Sequence, residues 1–453
     1  MDPLDNGLED PGAASSVPEP AAIAAIEGSP QPPLEEASDG YAPWLVPPTA
    51  PPALTEPHGD TPPPLPRDSL PPMFAPKKVP TDQVSPWVVV GLMGLMGASM
   101  LGLFFDGEFG HLLKGSWDAC LFTTLAVLAY AGRKRPWARW MSWLMLGGIV
   151  TLAAFFNCAV CLEALVEDGQ GISFRDTHQG FVLILVLFLS WACLIPALLP
   201  ALHRSPLGIG RLEEAAGWTN IRLLALGTTV SLMLSCCVPL VVLGEPPILA
   251  AMQRSARFAA DITGNRGAAG LLRDQLYGLV WILLGAALAV GWGITRDAGQ
   301  TLRRLGLERI PVQQLRIAVL SPALLFVLGG MLDQLITWIW GTLGWRITDA
   351  SAVEALFSAY TTPLGAIVIG VTAGLGEEVA VRGILQPRLG ILLSNCLFTA
   401  MHAYQYHWDG LCSVFVIGLA LGWIRKKTNT TVSAIAHGGY DFLLILLEYL
   451  GAH

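Results

Sequence analysis

Residues 317–341 read IAVLSPALLFVLGGMLDQLITWIWG, a run of 25 residues in which Asp333 is the only ionisable side chain. An α-helix rises ~1.5 Å per residue, so about 20 apolar residues cross the ~30 Å hydrocarbon layer of a bilayer. A surface helix of a water-soluble protein would instead carry a polar face. The run therefore predicts a membrane-spanning helix, and the rest of the chain can be read outward from it.

Similar apolar runs recur on both sides of this segment, from residue 86 to the C-terminal end. Charged residues make up only 14% of the chain and hydrophobic residues 53%, against about 25% charged in an ordinary soluble domain. The fold class that we expect is all-α, a polytopic bundle of about eleven transmembrane spans. They are predicted near 87–105, 117–131, 140–162, 180–202, 223–244, 275–295, 317–341, 357–381, 389–404, 410–424 and 430–449.

The N-terminal stretch, residues 1–85, has a different composition. It holds 13 acidic side chains against Arg67, Lys77 and Lys78, a net charge of −10 that leaves +2 for the remainder from the total of −8. Proline runs such as Pro62–Pro64 exclude regular helix, and the few apolar residues cannot offset the entropy of ordering. We predict a disordered, Pro-rich tail, either a spacer or a segment that binds a cytoplasmic partner.

Basic residues predict the orientation of the spans. The loop 133–139 and the loop 296–316 are rich in arginine and are expected on the cytoplasmic side. The loop 245–274 carries four arginines on the opposite side and breaks the pattern. The consistent solution places the N-terminus inside and the C-terminus outside. No basic stripe suited to nucleic acid is found.

Three groups of polar side chains lie inside the last predicted spans, where ionisable residues are costly and indicate function. They read Glu377-Glu378-Val-Ala-Val-Arg382, Phe398-Thr-Ala-Met-His402 and His437-Gly-Gly-Tyr-Asp441. Asp333 is a fourth, isolated polar residue, for which pairing with a neighbouring span is the simpler interpretation.

The depths of these groups agree with one another. Measured along a helix from Arg388, Glu377 lies roughly 16 Å and His402 roughly 21 Å into the membrane. His437 lies roughly 15 Å from Lys427. Three helices thus bring one carboxylate and two imidazoles to a similar depth in the membrane. Polar residues scattered by chance would not be expected to agree in depth.

The spacing within each group is also informative. Residues four apart share one face of a helix, so His437 and Asp441 can point into one cavity. Glu378 and Arg382 have the same spacing and can form a local ion pair. Such a pair would leave Glu377, one position round the helix, free for chemistry.

Together these motifs resemble those of the CAAX-processing and bacteriocin-immunity (CPBP, or Abi) family of intramembrane endopeptidases, which carries them in this order on successive helices. The resemblance covers about residues 300–450. It implies three regions, namely the tail 1–85, accessory transmembrane helices in 86–296 and a protease core in 297–453. It also implies a multi-pass protein of a bacterial-type inner membrane that processes membrane-associated peptides or sorts surface proteins at their C-termini.

The resemblance further implies roles for individual residues. Glu377 would act as the general base that activates a water, helped by His402, and His437 with Asp441 would stabilise the oxyanion. An ionised Asp441 cannot donate a hydrogen bond to an oxyanion, so it orients His437 or acts while protonated. The residues expected to support the site are Glu378, Arg382 and Phe398.

Two further questions stay open at this stage. Glu377, His402 and His437 are a legitimate zinc-ligand set, but no His-Glu-x-x-His motif is present, and we expect no cofactor. A polar cluster that only locks helices together would use the same residues. So would a secondary transporter or a non-catalytic membrane partner protein with a proton-linked site.

Overall fold

The structure is a computed structural model, in which the predicted tail, residues 1–85, lies outside the described residues. The residues that it describes are 86–102, 104, 107–165, 177–195, 220–263 and 267–452. These form helices and turns with no β-strand, so the predicted all-α class is confirmed for this part of the chain. The division into accessory and core regions stays a prediction.

Helices of the described accessory region pack around small and branched side chains. One core cluster joins Leu125, Leu146, Val150 and Leu224 from three different helices. The helices are α1 (Pro86–Leu101), α2 (Glu108–Lys114), α3 (Trp117–Ala131), α4 (Pro136–Leu165), α5 (Thr177–Ala192), α6 (Asn220–Leu243), α7 (Pro247–Arg254), α8 (Ala256–Thr263) and α9 (Gly267–Ala289).

The C-terminal region continues with α10 (Ala298–Leu305), α11 (Val312–Leu343), α12 (Ala350–Phe357), α13 (Pro363–Val371), α14 (Gln386–Met401), α15 (Trp408–Lys427) and α16 (Thr430–Ala452). Between α13 and α14 the chain stays helical but widens into two π-helical segments, Thr372–Glu377 and Val379–Leu385. Segments of π-helix are rare and frequently occur at functional sites. Here they hold the Glu377-Glu378 pair.

Eight helical segments of the described chain are long and apolar enough to cross a bilayer by length and composition. The predicted spans 87–105 and 180–202 overlap α1 and α5, which have 16 residues each. The predicted spans 357–381 and 389–404 both overlap one 42-residue segment, Pro363–Tyr404. The chain bends within that segment at Gly390, whose φ of 82° is not helical. The count of about eleven spans and the orientation stay predictions.

Helix α11 shows why these elements fit a lipid environment. Large apolar side chains such as Leu324, Val327 and Met331 are more than half exposed along it, whereas a soluble protein rarely exposes so continuous an apolar surface. Its opposite face packs Ala318 and Leu325 against α15 and α16. The helix therefore presents one face to lipid and one to the bundle.

Glycines let α13 and its π-helical extension approach α16 to backbone contact. A Cβ atom built on Gly438 would lie 2.1 Å from the carbonyl oxygen of Gly370 and 3.4 Å from the Cα atom of Gly374. A Cβ on Gly374 would lie 2.6 Å from the carbonyl oxygen of Ala434. Because no side chain fits between the two backbones, small residues here decide how closely the motif-bearing helices pack.

Candidate active site

Glu378 is the buried centre of the polar cluster. Its side chain is fully buried, and its Oε1 atom lies 3.1 Å from Nδ1 of His437. The hydroxyl of Ser433 donates to Oε2, and Nε of Arg382 lies 3.5 Å from the same oxygen. A buried carboxylate needs such partners to offset the cost of its desolvation. Glu378 thereby ties the π-helical segment to α16, and the ion pair expected from the four-residue spacing is present.

Arg382 extends this cluster to two more helices. Its Nη2 donates to the carbonyl oxygen of Gly418 in α15 over 2.9 Å. Its guanidinium carbon lies 4.5 Å from the centroid of the Phe398 ring in α14, a cation–π contact. The arginine is itself 1% exposed, so its charge is compensated inside the protein by Glu378 and these contacts.

The ring of Phe398 lies where the three motifs meet. Its centroid is 4.8 Å from the ring centroid of His402 and 5.9 Å from that of His437, both in edge-on arrangements. With Arg382 on the same ring, one side chain contacts a residue from each motif. The structure therefore brings together groups that are 20 to 55 positions apart in the sequence.

His402 directly follows α14 and begins a short 3₁₀ turn, His402–Tyr404. Its Nδ1 lies 2.8 Å from the carbonyl oxygen of Phe398. Because a carbonyl oxygen only accepts hydrogen bonds, Nδ1 carries the hydrogen, and in the neutral ring Nε2 presents a lone pair. The ring is also stacked on that of Tyr406, with centroids 6.2 Å apart and 13° between the planes. Backbone and ring contacts thus fix its orientation.

His437 has a partner at each ring nitrogen. Nδ1 faces Glu378, and Nε2 lies 3.5 Å from Oδ2 of Asp441, one turn further along α16. The Asp441 side chain is 18% exposed, whereas that of Glu378 is completely enclosed. The Nε2 side of the imidazole therefore faces the more open part of the cluster.

Glu377 differs from Glu378 in its burial and in its contacts. It is half-buried, and no described residue forms a hydrogen bond or ion pair with its carboxylate. It lies within electrostatic range of His437, Asp441 and Tyr406. Of the two adjacent glutamates, Glu378 is thus held by structural contacts, whereas the carboxylate of Glu377 is available for chemistry.

Two residues near the cluster were missed by the sequence reasoning. Ser433 precedes His437 by four positions and Asp441 by eight, so a helical-face count along α16 could have found it. Tyr406 follows α14 in an irregular turn, and no periodic signal marks it. Burial, reinforced by the charges of Asp441 and Glu377, raises the pKa of Tyr406 to about 12, so its hydroxyl stays protonated at neutral pH.

Three further polar residues lie outside the motifs. The polar groups of Tyr404 and His407 bond within the protein. Tyr404 donates to Asn157 over 2.6 Å, and His407 is buried with Nε2 3.2 Å from the carbonyl oxygen of Gly244. Asp333 is exposed on α11 and makes no hydrogen bond or ion pair with described residues, but it interacts electrostatically with Tyr440.

The zinc alternative named Glu377, His402 and His437 as ligands. Among the described residues, no three His, Cys, Asp or Glu side chains lie together as a group that could hold a metal ion. In this conformation, Nδ1 of His402 and both ring nitrogens of His437 face protein groups. Nε2 of His402 and the Glu377 carboxylate face no partner in the described part of the chain.

Comparison with known proteins places this cluster in a family context. Residues 359–443 match the family model described as Rce1-like, type II CAAX prenyl endopeptidase. The match begins just before α13 and ends two residues after Asp441, so it encloses all three motifs. No curated protein and no solved structure matches the chain. Helices long enough to span a bilayer accompany the match, and the chain is an integral membrane protein.

The predicted resemblance to the CAAX-processing and bacteriocin-immunity family is thereby confirmed: the segment 359–443, which carries all three motifs, matches the model of the Rce1-like type II CAAX prenyl endopeptidases.

Proposed function

We propose that the protein is an intramembrane endopeptidase that hydrolyses a peptide bond near a membrane-associated segment. The observation that carries the proposal is the convergence of the three motifs around Phe398, inside the segment that matches the endopeptidase family. Structural contacts explain Glu378, Arg382 and Ser433. They leave Glu377 and Nε2 of His402 without a hydrogen-bond partner among the described residues, as a water-activating pair requires.

In the proposed reaction, a water lies between the Glu377 carboxylate and Nε2 of His402, both of which accept hydrogen bonds. Glu377 takes a proton as the water oxygen bonds to the carbonyl carbon of the substrate. The carbonyl π bond opens, and negative charge collects on its oxygen. When the tetrahedral intermediate collapses, the C–N bond breaks and the proton held by Glu377 passes to the leaving amine.

We assign to His437 the stabilisation of the intermediate. Since Glu378 accepts from Nδ1, a protonated His437 directs its Nε2 hydrogen toward Asp441 and the open side of the cluster. There it donates to the developing oxyanion, and the buried Glu378 balances the imidazolium charge. Removing one donor of this kind typically lowers kcat about 100- to 1000-fold. Asp441 restricts the rotation of the imidazole. Tyr406 is a second donor, uncharged, within electrostatic range of Asp441 and Glu377.

Position and family support one class of substrate. The motifs lie in helices long and apolar enough to cross a bilayer, so we propose a membrane-associated peptide segment. A C-terminal segment, prenylated or used for sorting surface proteins, fits best, and the site is proposed to work without a resident metal. The protein is further proposed to lie in a bacterial-type inner membrane with its N-terminus in the cytoplasm, where the Pro-rich tail can reach a soluble partner.

The decisive experiment compares the membrane-protein termini of cells that carry either the intact protein or Glu377→Gln. New termini that appear only with the intact protein, and uncut precursors that accumulate with the variant, support the peptidase. Identical membrane-protein termini in both strains would refute the proposal. Substrate uptake into vesicles that depends on a proton gradient would then support the secondary transporter.

A further inference from the structure

Four arginines from four separate elements lie close together at one end of the bundle. Arg296 follows α9, Arg304 lies in α10, Arg388 in the first turn of α14 and Arg425 in the last turn of α15. Arg304 interacts electrostatically with the other three, and Arg388 also with Arg296. The fold, and no local sequence run, creates this arginine cluster.

Backbone carbonyl oxygens hold three of the four side chains in place. Arg304 donates to Gly383 over 2.8 Å, and Arg388 donates to Ile384 over 2.7 Å. Arg296 donates to the carbonyl oxygen of Val290, next to the end of α9. Carbonyl groups at a helix C-terminus attract cations, which gives a structural reason for Arg296. It does not explain why four cations share one place.

The cluster lacks counterions within the described part of the chain. None of the four guanidinium groups forms an ion pair with a described carboxylate, and Nε of Arg425 is buried with no hydrogen-bond partner there. All four side chains are half-buried, so water screens their repulsion only in part. Burial, reinforced by Arg388 and Arg296, lowers the pKa of Arg304 to about 10. An anion would relieve this repulsion.

The surroundings indicate which class of anion the cluster would bind. Trp423 is 58% exposed, with the ammonium group of Lys427 5.8 Å from its ring centroid. Exposed tryptophan beside lysine is typical of the level of the lipid headgroups. Basic pockets between transmembrane helices at that level bind phosphate groups of anionic lipids, and arginine matches phosphate oxygens with paired donors.

We propose that Arg296, Arg304, Arg388 and Arg425 bind the phosphate-bearing headgroup of an anionic phospholipid at the membrane interface. The site lies outside the proposed catalytic cluster and does not depend on the proposed reaction. It is nevertheless joined to the same helix, because Arg304 and Arg388 are bonded to the π-helical segment Val379–Leu385.

Arg425 gives the sharpest test because it forms no hydrogen bond with a described residue, so Arg425→Gln removes charge without breaking a hydrogen bond or ion pair to the described part of the chain. The matched control is Lys426→Gln, which removes the same charge from the exposed neighbouring position. The full chain in neutral detergent would be titrated with phosphatidylglycerol, and bound lipid counted by native mass spectrometry. Phosphatidylcholine is the uncharged comparison, and inorganic phosphate is added as competitor.

We expect phosphatidylglycerol to bind the intact chain and Lys426→Gln alike. Each lost arginine should weaken binding about fivefold, so the Arg304→Gln/Arg425→Gln variant should bind roughly 25-fold more weakly. Equal binding by the intact chain and both arginine variants would overturn the proposal. Equal binding of phosphatidylcholine would do the same. Displacement by phosphate with no preference for the anionic lipid would assign the cluster to a soluble anion instead.

Discussion

The hydroxyl of Tyr404 donates a 2.6 Å hydrogen bond to the side-chain oxygen of Asn157, a residue 247 positions earlier in the chain. Asn157 is fully buried, and its amide nitrogen donates to the hydroxyl of Ser190 and to the backbone carbonyl oxygen of Ser235. Three accessory helices thus hold the turn that directly follows His402. The accessory region is in this way a structural support of the proposed active site.

Tyr404→Phe should therefore weaken both stability and activity. It leaves the oxygen of Asn157 buried without a donor, at a cost of about 1–3 kcal/mol. We expect a lower kcat with little change in KM, because His402 loses its fixed position while the substrate contacts stay. Thermal unfolding and cleavage kinetics measure the two effects.

Tyr360→Phe is the control, since that hydroxyl has only a 3.4 Å contact with Gln275. The double variant Tyr404→Phe/Asn157→Ala should lose less stability than the sum of the single variants, because both remove the same bond. Strict additivity would show that the bond does not support the turn.

The two adjacent glutamates should respond in opposite ways to the same substitution. Glu377→Gln is expected to abolish cleavage and leave the unfolding temperature unchanged. Glu378→Gln removes the charge that compensates Arg382 and His437, and breaking a buried pair costs about 3–5 kcal/mol. Unfolding midpoints and cleavage assays on both proteins check this. An unfolded Glu377→Gln, or a stable Glu378→Gln, would reverse the assignment of the two roles.

Phe398→Leu should keep the helices assembled but loosen the two histidines. The substitution removes the edge-on contacts with His402 and His437 and the cation–π contact with Arg382, which is worth about 2 kcal/mol in a desolvated site. We expect kcat to fall by about tenfold or more, since a small misplacement of catalytic groups is costly. Phe188→Leu, at a position 66% exposed on α5, is the matched control and should leave kcat unchanged.

Gly438→Ala should separate α16 from α13. The new methyl group would meet the carbonyl oxygen of Gly370, and overpacking of this kind typically costs about 1–3 kcal/mol. In Gly330→Ala the methyl group meets no atom within 4 Å, so that variant should fold normally. Comparing the unfolding temperatures of the two variants distinguishes a packing effect from a general effect of alanine. Equal temperatures would contradict the close approach.

Prolonged chelation should leave the proposed activity intact. A site that activates water through Glu377 and His402 needs no Lewis acid, and elemental analysis of the active, purified protein should find less than one zinc per chain. Activity that disappears with a chelator and returns on adding zinc would replace this mechanism with a metal-dependent one.

The sequence was sufficient to predict the elements that depend on local composition. Apolar run length located the long helices, and four-residue spacing predicted the ion pair of Glu378 with Arg382 and the shared helix face of His437 and Asp441. The bond between Tyr404 and Asn157 and the arginine cluster could not be predicted, because each depends on packing between segments far apart in the chain. The bend at Gly390 and the π-helical segments were missed for a related reason. Glycine permits such backbone conformations without requiring them.

Glu378 holds its helix against α16 through its contacts, whereas its neighbour Glu377 makes no such contact with a described residue. A protein with only the reactive carboxylate neutralised should therefore keep its shape and still admit its natural targets, which it would then fail to release as fragments. Such an inert copy could serve as bait. Chemical crosslinking in living cells, followed by identification of what it retains, would name the substrates directly without any prior guess about their lipid or their destination.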